Sequence, residues 1–201
     1  ENTVVSPSVK EGALGVTVSL RHFEKTSGLR LKLAVCETNG VSVGLPSLEK
    51  SLDASVEAQE ITTSLPWANP QLWKVGAAYL YQLRVSIVDS RGNTVDACPP
   101  VRFGFREIRI SGKDILVNGE PVKLRMPMFI ENVTAMRFFG RMGFNVYYVQ
   151  PNQSYWYGPK VSGLFPTPGL SPMQAGTAEL LDYADEHGWV TLMPMPSFSY
   201  L

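Results

Sequence analysis

The sequence predicts a β-sandwich followed by an α/β segment built on a parallel sheet. Two observations predict it. Apolar residues alternate with polar ones at period two through the first hundred positions. Beyond residue 130 the apolar spacing lengthens to that of helices, and short apolar runs separate the helical stretches. No long helical period occurs before that point.

Val16, Val18 and Leu20 alternate with Thr17, Ser19 and Arg21. Leu29, Leu31, Leu33 and Val35 alternate with Arg30, Lys32 and Ala34, and Tyr81, Leu83, Val85 and Ile87 with Gln82, Arg84 and Ser86. Each is expected to be a half-buried strand, because successive side chains leave a strand on opposite faces. Ser27-Gly28 and Ser90-Arg91-Gly92-Asn93 are turn signals between strands, the second joining Tyr79–Asp89 to Thr94–Ala97. Parity places Cys36 with Arg30 and Lys32 and Cys98 with Thr94 and Asp96, both on outward faces. That disfavours an inter-sheet disulfide and predicts two free thiols, with a lateral bridge on one outer face as the alternative.

Pro99-Pro100 and Phe103-Gly104-Phe105-Arg106-Glu107 mark a change of character. A hairpin is expected next, Asp114–Val117 to Glu120–Leu124, because Asn118-Gly119 suits a type I′ turn whose central positions both need positive φ. Pro121 lacks a backbone donor and belongs on an edge or at a strand start. Val133, Met136 and Phe139, with Phe138 alongside, predict a helix capped by Asn132 or Thr134, with Gly143 as the C′ residue. Phe144–Val149 reads as a buried strand. A second helix is expected from about Ala178 to His187, capped by Thr177 and stopped by Gly188, with Leu181 and Ala184 inward. Trp189–Met193 is the next strand. Such alternation predicts a parallel sheet.

Composition narrows the partners. Eighteen Lys and Arg balance eighteen Asp and Glu, and the balance holds in both halves of the chain. That argues against nucleic acid and anionic membrane surfaces. No apolar run reaches the ~18–20 residues of a membrane span. The first residues, Glu1-Asn2-Thr3, carry neither a signal-peptide pattern nor a Met, so the chain is expected to begin inside a longer or processed protein. Two separated histidines, His22 and His187, and two outward cysteines give no metal-ligand spacing, and no cofactor is expected.

Four stretches in order carry a family resemblance. They are Asn69-Pro70-Gln71-Leu72-Trp73 with Tyr79-Leu80-Tyr81-Gln82-Leu83; Phe103-Gly104-Phe105-Arg106-Glu107; Leu116-Val117-Asn118-Gly119-Glu120-Pro121-Val122-Lys123-Leu124-Arg125; and Met142-Gly143-Phe144-Asn145 with Asp185-Glu186-His187-Gly188. The chain resembles glycoside hydrolase family 2, a group of β-glycosidases. The insert between Trp73 and Tyr79 is similar to that of the β-mannosidase-type branch. The resemblance implies an immunoglobulin-like β-sandwich over residues 1–107 and, over 108–201, the first three strands of an incomplete (β/α)8 barrel. It also implies a carbohydrate substrate, hydrolysis of O-glycosyl bonds by the retaining route, and an exported, periplasmic or extracellular setting.

A (β/α)8 barrel takes ~250 residues, more than follow Gly119. The resemblance places the acid/base and nucleophile glutamates after barrel strands 4 and 7, beyond Leu201. Retaining glycosidases need two carboxyls ~5–5.5 Å apart. No catalytic residue is therefore assigned, and the chain alone is expected to be inactive. At two places it departs from the family pattern. Arg125-Met126-Pro127-Met128-Phe129 stands where the family has "RG-x-N-x-H", and Tyr147-Tyr148-Val149-Gln150-Pro151-Asn152 where it has an Arg and often "HYP". An unusual substrate and an inactive relative both fit.

Barrel chemistry gathers at strand C-termini. Gln150 to Gly176 is long for a βα connection, and carries Tyr155-Trp156-Tyr157 and Phe165. Tyr155, Trp156 and Tyr157 are candidate stacking platforms for sugar CH groups, with packing of the loop as the plain alternative. Gln150 and Asn152 are candidate hydroxyl ligands or turn residues. Arg125 is expected to end strand 1, pairing with a carboxylate or forming a structural ion pair. Glu131 suits a helix start, Arg106 and Glu107 a domain junction, and Asp185 and Glu186 a structural role on the outside of the barrel. A non-catalytic carbohydrate-binding or adhesion module is the rival reading. Three parallel strands leave an open edge, so self-association through that edge is also expected.

Overall fold

The alternation read from the first hundred residues becomes two antiparallel sheets. The structure, a computed structural model, describes residues 2–21, 28–53, 55–128, 130, 132–149 and 172–192. The chain divides into two compact units, Glu1–Trp73 with Tyr79–Arg109, and Lys74–Ala78 with Ile110–Leu201.

In the first unit β1 (Asn2–Ser8), β2 (Ala13–Arg21) and β5 (Ala58–Pro66) form one sheet in the order β1-β2-β5. The second sheet runs β4 (Leu48–Ser51), β3 (Arg30–Glu37), β6 (Tyr81–Val88), β7 (Thr94–Ala97), with β8 (Val101–Phe103) on the other half of β6. The inward sets are those that parity predicts. Leu14, Val16, Val18 and Leu20 bury with Leu31, Leu33, Val35, Leu83, Val85 and Ile87. Each such side chain contributes roughly 1.5–3 kcal/mol by leaving water. Trp67, Tyr81, Phe103 and Phe105 complete the core as a ring cluster, with Trp67 and Tyr81 centroids 4.7 Å apart. Strands β1, β4 and β5 were not legible beforehand: β4 is short and mostly exposed, and β1 and β5 bury few large apolar groups.

Both cysteines are free, as expected, but Cys98 corrects the outward placement: Ala97 pairs with Ser86 on the outer face, so the next residue, Cys98, turns in and packs against the sandwich core. Cys36 also corrects the expectation of exposure. Its side chain does share the face of Arg30 and Lys32, yet it is buried, because Ser42 bridges to Cys36 and Glu37 N–H donates to Val41 O. Cys98 lies on the far side of β6, its N–H donating to Val85 O, so β6 separates the two thiols and a lateral bridge does not form. Pro99 and Pro100 have no N–H and split β7 from β8. The gap adjoins a cleft of ≈ 250 Å³, lined by Val18, Leu20, Val85, Ile87, Asp96 and Cys98 among others.

The second unit opens on a sheet of order β11-β10-β9, made by β9 (Ile108–Ser111), β10 (Asp114–Val117) and β11 (Glu120–Val122), the division falling within β9. Asn118 at φ 51° and Gly119 at φ 84° adopt the expected hairpin turn, and Pro121 sits on the edge strand. Helix α1 (Val133–Arg141) is capped by Asn132, whose side chain accepts from Ala135 N–H at 2.9 Å. Its inward residue is Met136. Phe138, expected alongside the apolar face, is 59 % exposed.

Strand β12 (Val146–Tyr148) pairs with β13 (Val190–Leu192), and helix α2 (Pro172–His187) precedes β13. The pairing is parallel, with Val146 opposite Val190, Tyr147 opposite Thr191 and Tyr148 opposite Leu192. Met136, Tyr147, Val149, Leu180, Ala184 and Trp189 form a second core. Gly140 brings α1 onto the Trp189 ring, where an added Cβ would lie 3.3 Å from the indole. Two expectations are corrected. Helix α2 starts at Pro172, so Thr177 lies inside it and is not its cap, because Pro at a helix start needs no N–H partner. The described residues hold two parallel strands rather than three, since residues 123–127 form no strand. His22 and Glu131 lie outside the described residues.

Candidate functional site

A candidate site at the exits of a parallel sheet depends on what fixes the strands that lead to it. Asn145, just before β12, is that joint. Its Oδ1 accepts from Arg125 N–H at 2.8 Å, and its Nδ2 donates to Lys123 O at 3.0 Å. The backbone adds to this, since Asn145 N–H and Val146 N–H both donate to Arg125 O at 3.0 and 3.2 Å. On the other side Val190 N–H donates to Asn145 O at 2.9 Å. A primary amide has the donor and acceptor of a peptide unit, so Asn145 substitutes for ladder bonds that residues 123–125 lack. Sequence reasoning missed this role. The signal was present as Gly143-Phe144-Asn145, where a polar residue opens an apolar strand.

Arg125 is the one sugar-site candidate whose position is described. It is exposed, and its Nη1 lies 3.1 Å from where a Cβ on Gly143 would stand. Gly143, at φ 85°, belongs to the turn that enters β12. Arg125 therefore lies level with the start of β12, whereas barrel chemistry gathers at strand exits. The expected candidates Gln150, Asn152, Tyr155, Trp156 and Tyr157, with Phe165, lie outside the described residues.

At the exit end Val149 N–H donates to Leu192 O at 2.9 Å, continuing the parallel pairing by one residue. Val149 is buried, while Tyr148 and Leu192, opposite each other in register, are 39 % and 42 % exposed. Burial pushes the Tyr147 phenol up, away from ionisation at neutral pH. At the entry end Tyr183 and His187 stack with centroids 3.8 Å apart, and Arg137 lies 5.9 Å over the Tyr183 ring. His187 Nδ1 also meets Tyr183 O at 2.9 Å. These residues hold the end of α2. Glu179, Asp182 and Glu186 are exposed on the same helix.

The expected junction residues have defined partners in the first unit. The Arg106 guanidinium lies 4.7 Å over the Trp73 ring. Glu107 accepts from Lys10 N–H at 2.8 Å and pairs with Arg109 at 3.1 Å. The Lys10 amide foremost, then Arg109, holds the Glu107 carboxyl below its ordinary range. Among the described residues no three His, Cys, Asp or Glu side chains come together as a metal site. No helix among them is long and apolar enough to cross a membrane.

Comparison with known proteins places these features in a family. The family profile described as "Glycosyl hydrolases family 2" matches residues 1–106. A β-galactosidase from Pseudoalteromonas haloplanktis is 37% identical over 140 residues, which cover 62% of this chain and 13% of that protein. A solved family 2 glycosyl hydrolase from Bacteroides cellulosilyticus superimposes with a TM-score of 0.67 at 20% identity, covering 94% of this chain and 24% of its own. A β-glucuronidase from Parabacteroides merdae gives a TM-score of 0.64 at 19% identity, covering 98% and 23%. At those identities the two structures speak for the fold. The chain thus spans a small part of the length of the relatives it matches.

Proposed function

Because the chain belongs to glycosyl hydrolases family 2, we propose that it supplies the sandwich and the opening barrel elements of a β-glycosidase. In this reading residues 1–107 are the immunoglobulin-like domain and 108–201 the start of a (β/α)8 barrel. The enzyme hydrolyses the O-glycosyl bond of a β-linked sugar with retention, through a glycosyl-enzyme intermediate. Its acid/base and nucleophile carboxylates come from outside these 201 residues.

The observation that carries the proposal is the parallel pairing of β12 with β13, with α2 leading into β13, in a chain that opens on the family's sandwich. Parallel strands need crossovers, and strand–helix repetition is the unit from which such barrels are built. The residues that follow β12, Gln150, Asn152, Tyr155, Trp156 and Tyr157, are assigned to the sugar. Rings there stack on CH faces and the amides bond hydroxyls. The outer edge of β13 is where further strands pair, or a second copy where they are absent.

The test is hydrolysis of a panel of aryl β-glycosides, by this chain and by a longer product of the same gene. The longer protein should cleave at least one β-glycoside and release the β-anomer first by NMR, while the 201-residue chain releases none. A longer product without β-glycosidase activity, or one that releases the α-anomer first, overturns the proposal.

A further inference from the structure

The two faces of the β12–β13 pair have different surroundings. Tyr147, Val149 and Trp189 join Met136 of α1 and Leu180 and Ala184 of α2 in the second core, so the face that Tyr147 shares with Thr191 lies under the helices. Successive side chains leave a strand on opposite sides, and residues in register share a side. Val146, Tyr148, Val190 and Leu192 therefore stand on the face turned away from the helices, and none of the four belongs to that core. Val146 and Val190, at the strand entries, are buried, whereas Tyr148 and Leu192, at the exits, are exposed. The Tyr148 hydroxyl makes no hydrogen bond with a described residue. Two tyrosines adjacent in sequence thus stand on opposite faces, one enclosed by the helices and one open at the strand exit.

Parallel strands are ordinarily covered on both faces. In a (β/α)8 barrel the helices cover one face, and the other turns to the barrel interior, at whose exit end the chemistry gathers. A phenol enclosed there needs a hydrogen-bond partner, and the side chains of Val146, Val190 and Leu192 have no polar group to supply one. We propose that Tyr148 is a specificity-determining contact to the sugar, its hydroxyl bonding one sugar hydroxyl and its ring, beside Leu192, lying against the sugar CH groups. The inference rests on the glycosidase reading and deepens it, adding a residue within a strand to those assigned on the connection that follows. A phenol both donates and accepts, so it takes a sugar hydroxyl in either sense. Discrimination comes from the same bond, because an analogue without that hydroxyl leaves the phenol unpaired in the pocket. A polar group on another strand of the barrel is the rival partner, and substrate variation separates the two.

The experiment measures kcat and KM of a longer product of the same gene on the aryl β-glycoside it cleaves fastest and on the monodeoxy forms of that glycoside. Tyr148→Phe should lower kcat/KM on the parent glycoside about tenfold, and less than about twofold on the one monodeoxy form that lacks the bonded hydroxyl. The comparison is a ratio within one preparation, so a loss of folded enzyme cancels. Tyr147→Phe, on the helix side, should leave the ranking of the glycosides unchanged. An unchanged kcat/KM in Tyr148→Phe overturns the inference. So does an equal loss on the parent and on every monodeoxy form, which would assign the phenol to another strand. A longer product that cleaves no β-glycoside overturns the glycosidase reading and this inference together, whereas an active one indifferent to Tyr148→Phe overturns this inference alone.

Discussion

The N–H of Gly76 donates to the carbonyl of Gly188 at 2.9 Å, joining the tight turn Lys74–Ala77 to the residue that ends α2. Gly188 has φ 73°, and a Cβ there would lie 2.5 Å from Gly76 N and Lys74 O and 2.8 Å from Ala77 N. All three are backbone atoms, so none can rotate away. Gly188→Ala therefore meets both a left-handed backbone and a backbone collision, and should cost more than the ~1–2 kcal/mol of the conformation alone. Thermal unfolding followed by Trp fluorescence checks this. An unchanged midpoint would show that the turn is not held there.

Asn145→Ala removes both side-chain bonds to residues 123–125 while leaving the backbone bonds to Arg125 O in place. Each lost hydrogen bond is worth about 0.5–1.5 kcal/mol. Hydrogen exchange should speed up at the Arg125 amide, with little change in the sandwich strands. Asn145→Asp keeps the acceptor for Arg125 N–H but places an anion beside Lys123 O, so it should be no milder than the alanine change. Full protection of Arg125 in Asn145→Ala would remove Asn145 from its role as the joint.

The Tyr79 hydroxyl donates to Glu37 Oε1 at 2.7 Å, and this bond, ahead of burial and the Glu37 charge, pushes its pKa up to about 12. A raised pKa favours the protonated, folded form. The contribution is complete below pH 10, the unfolded value, and disappears as pH rises from there through about 12. Tyrosinate absorbance should show Tyr79 titrating late, alongside the buried Tyr81 and Tyr147, which are also pushed up. In Tyr79→Phe the late absorbance should shrink by one ring, and the loss of stability between pH 10 and 12 should become shallower.

At the acid limb the sign reverses. Asn93, through its side chain and then its backbone N–H, holds the Asp89 carboxyl below its ordinary range, and the Lys10 amide does the same for Glu107. Lowered pKa values stabilise the fold above the unfolded carboxylate range, and that stabilisation is lost as pH falls through the folded values. Asp89→Asn should leave a weaker dependence of the unfolding midpoint on pH below ~4, measured by urea titration across that range. An unchanged slope would mean that the Ser90–Asn93 turn does not depend on the charge.

The two thiols should differ in reactivity. Cys36 is buried, whereas Cys98 is half-buried at the rim of the sheet cleft. A thiol reagent should modify Cys98 first in the native chain and count two thiols in denaturant, with no disulfide under mild oxidation. Rapid formation of an intramolecular disulfide would contradict their placement on opposite sides of β6.

Local periodicity determined a good deal on its own. The inward residues of β2, β3 and β6, the Asn118-Gly119 turn, the Asn132 cap and the succession of β12, a helix and β13 all follow from side-chain alternation, backbone sterics and capping, which act over a few neighbouring residues. Tertiary structure decided the rest. It buried Cys36 under a segment that parity does not include, turned Cys98 in against the core, and tied residues 123–125 to the start of β12 through the Asn145 amide. Each of these depends on the register between segments distant in the chain, and register is settled by burial and pairing summed over the whole sheet. The alternation of a single strand fixes which way a residue points but carries no record of what will lie beside it.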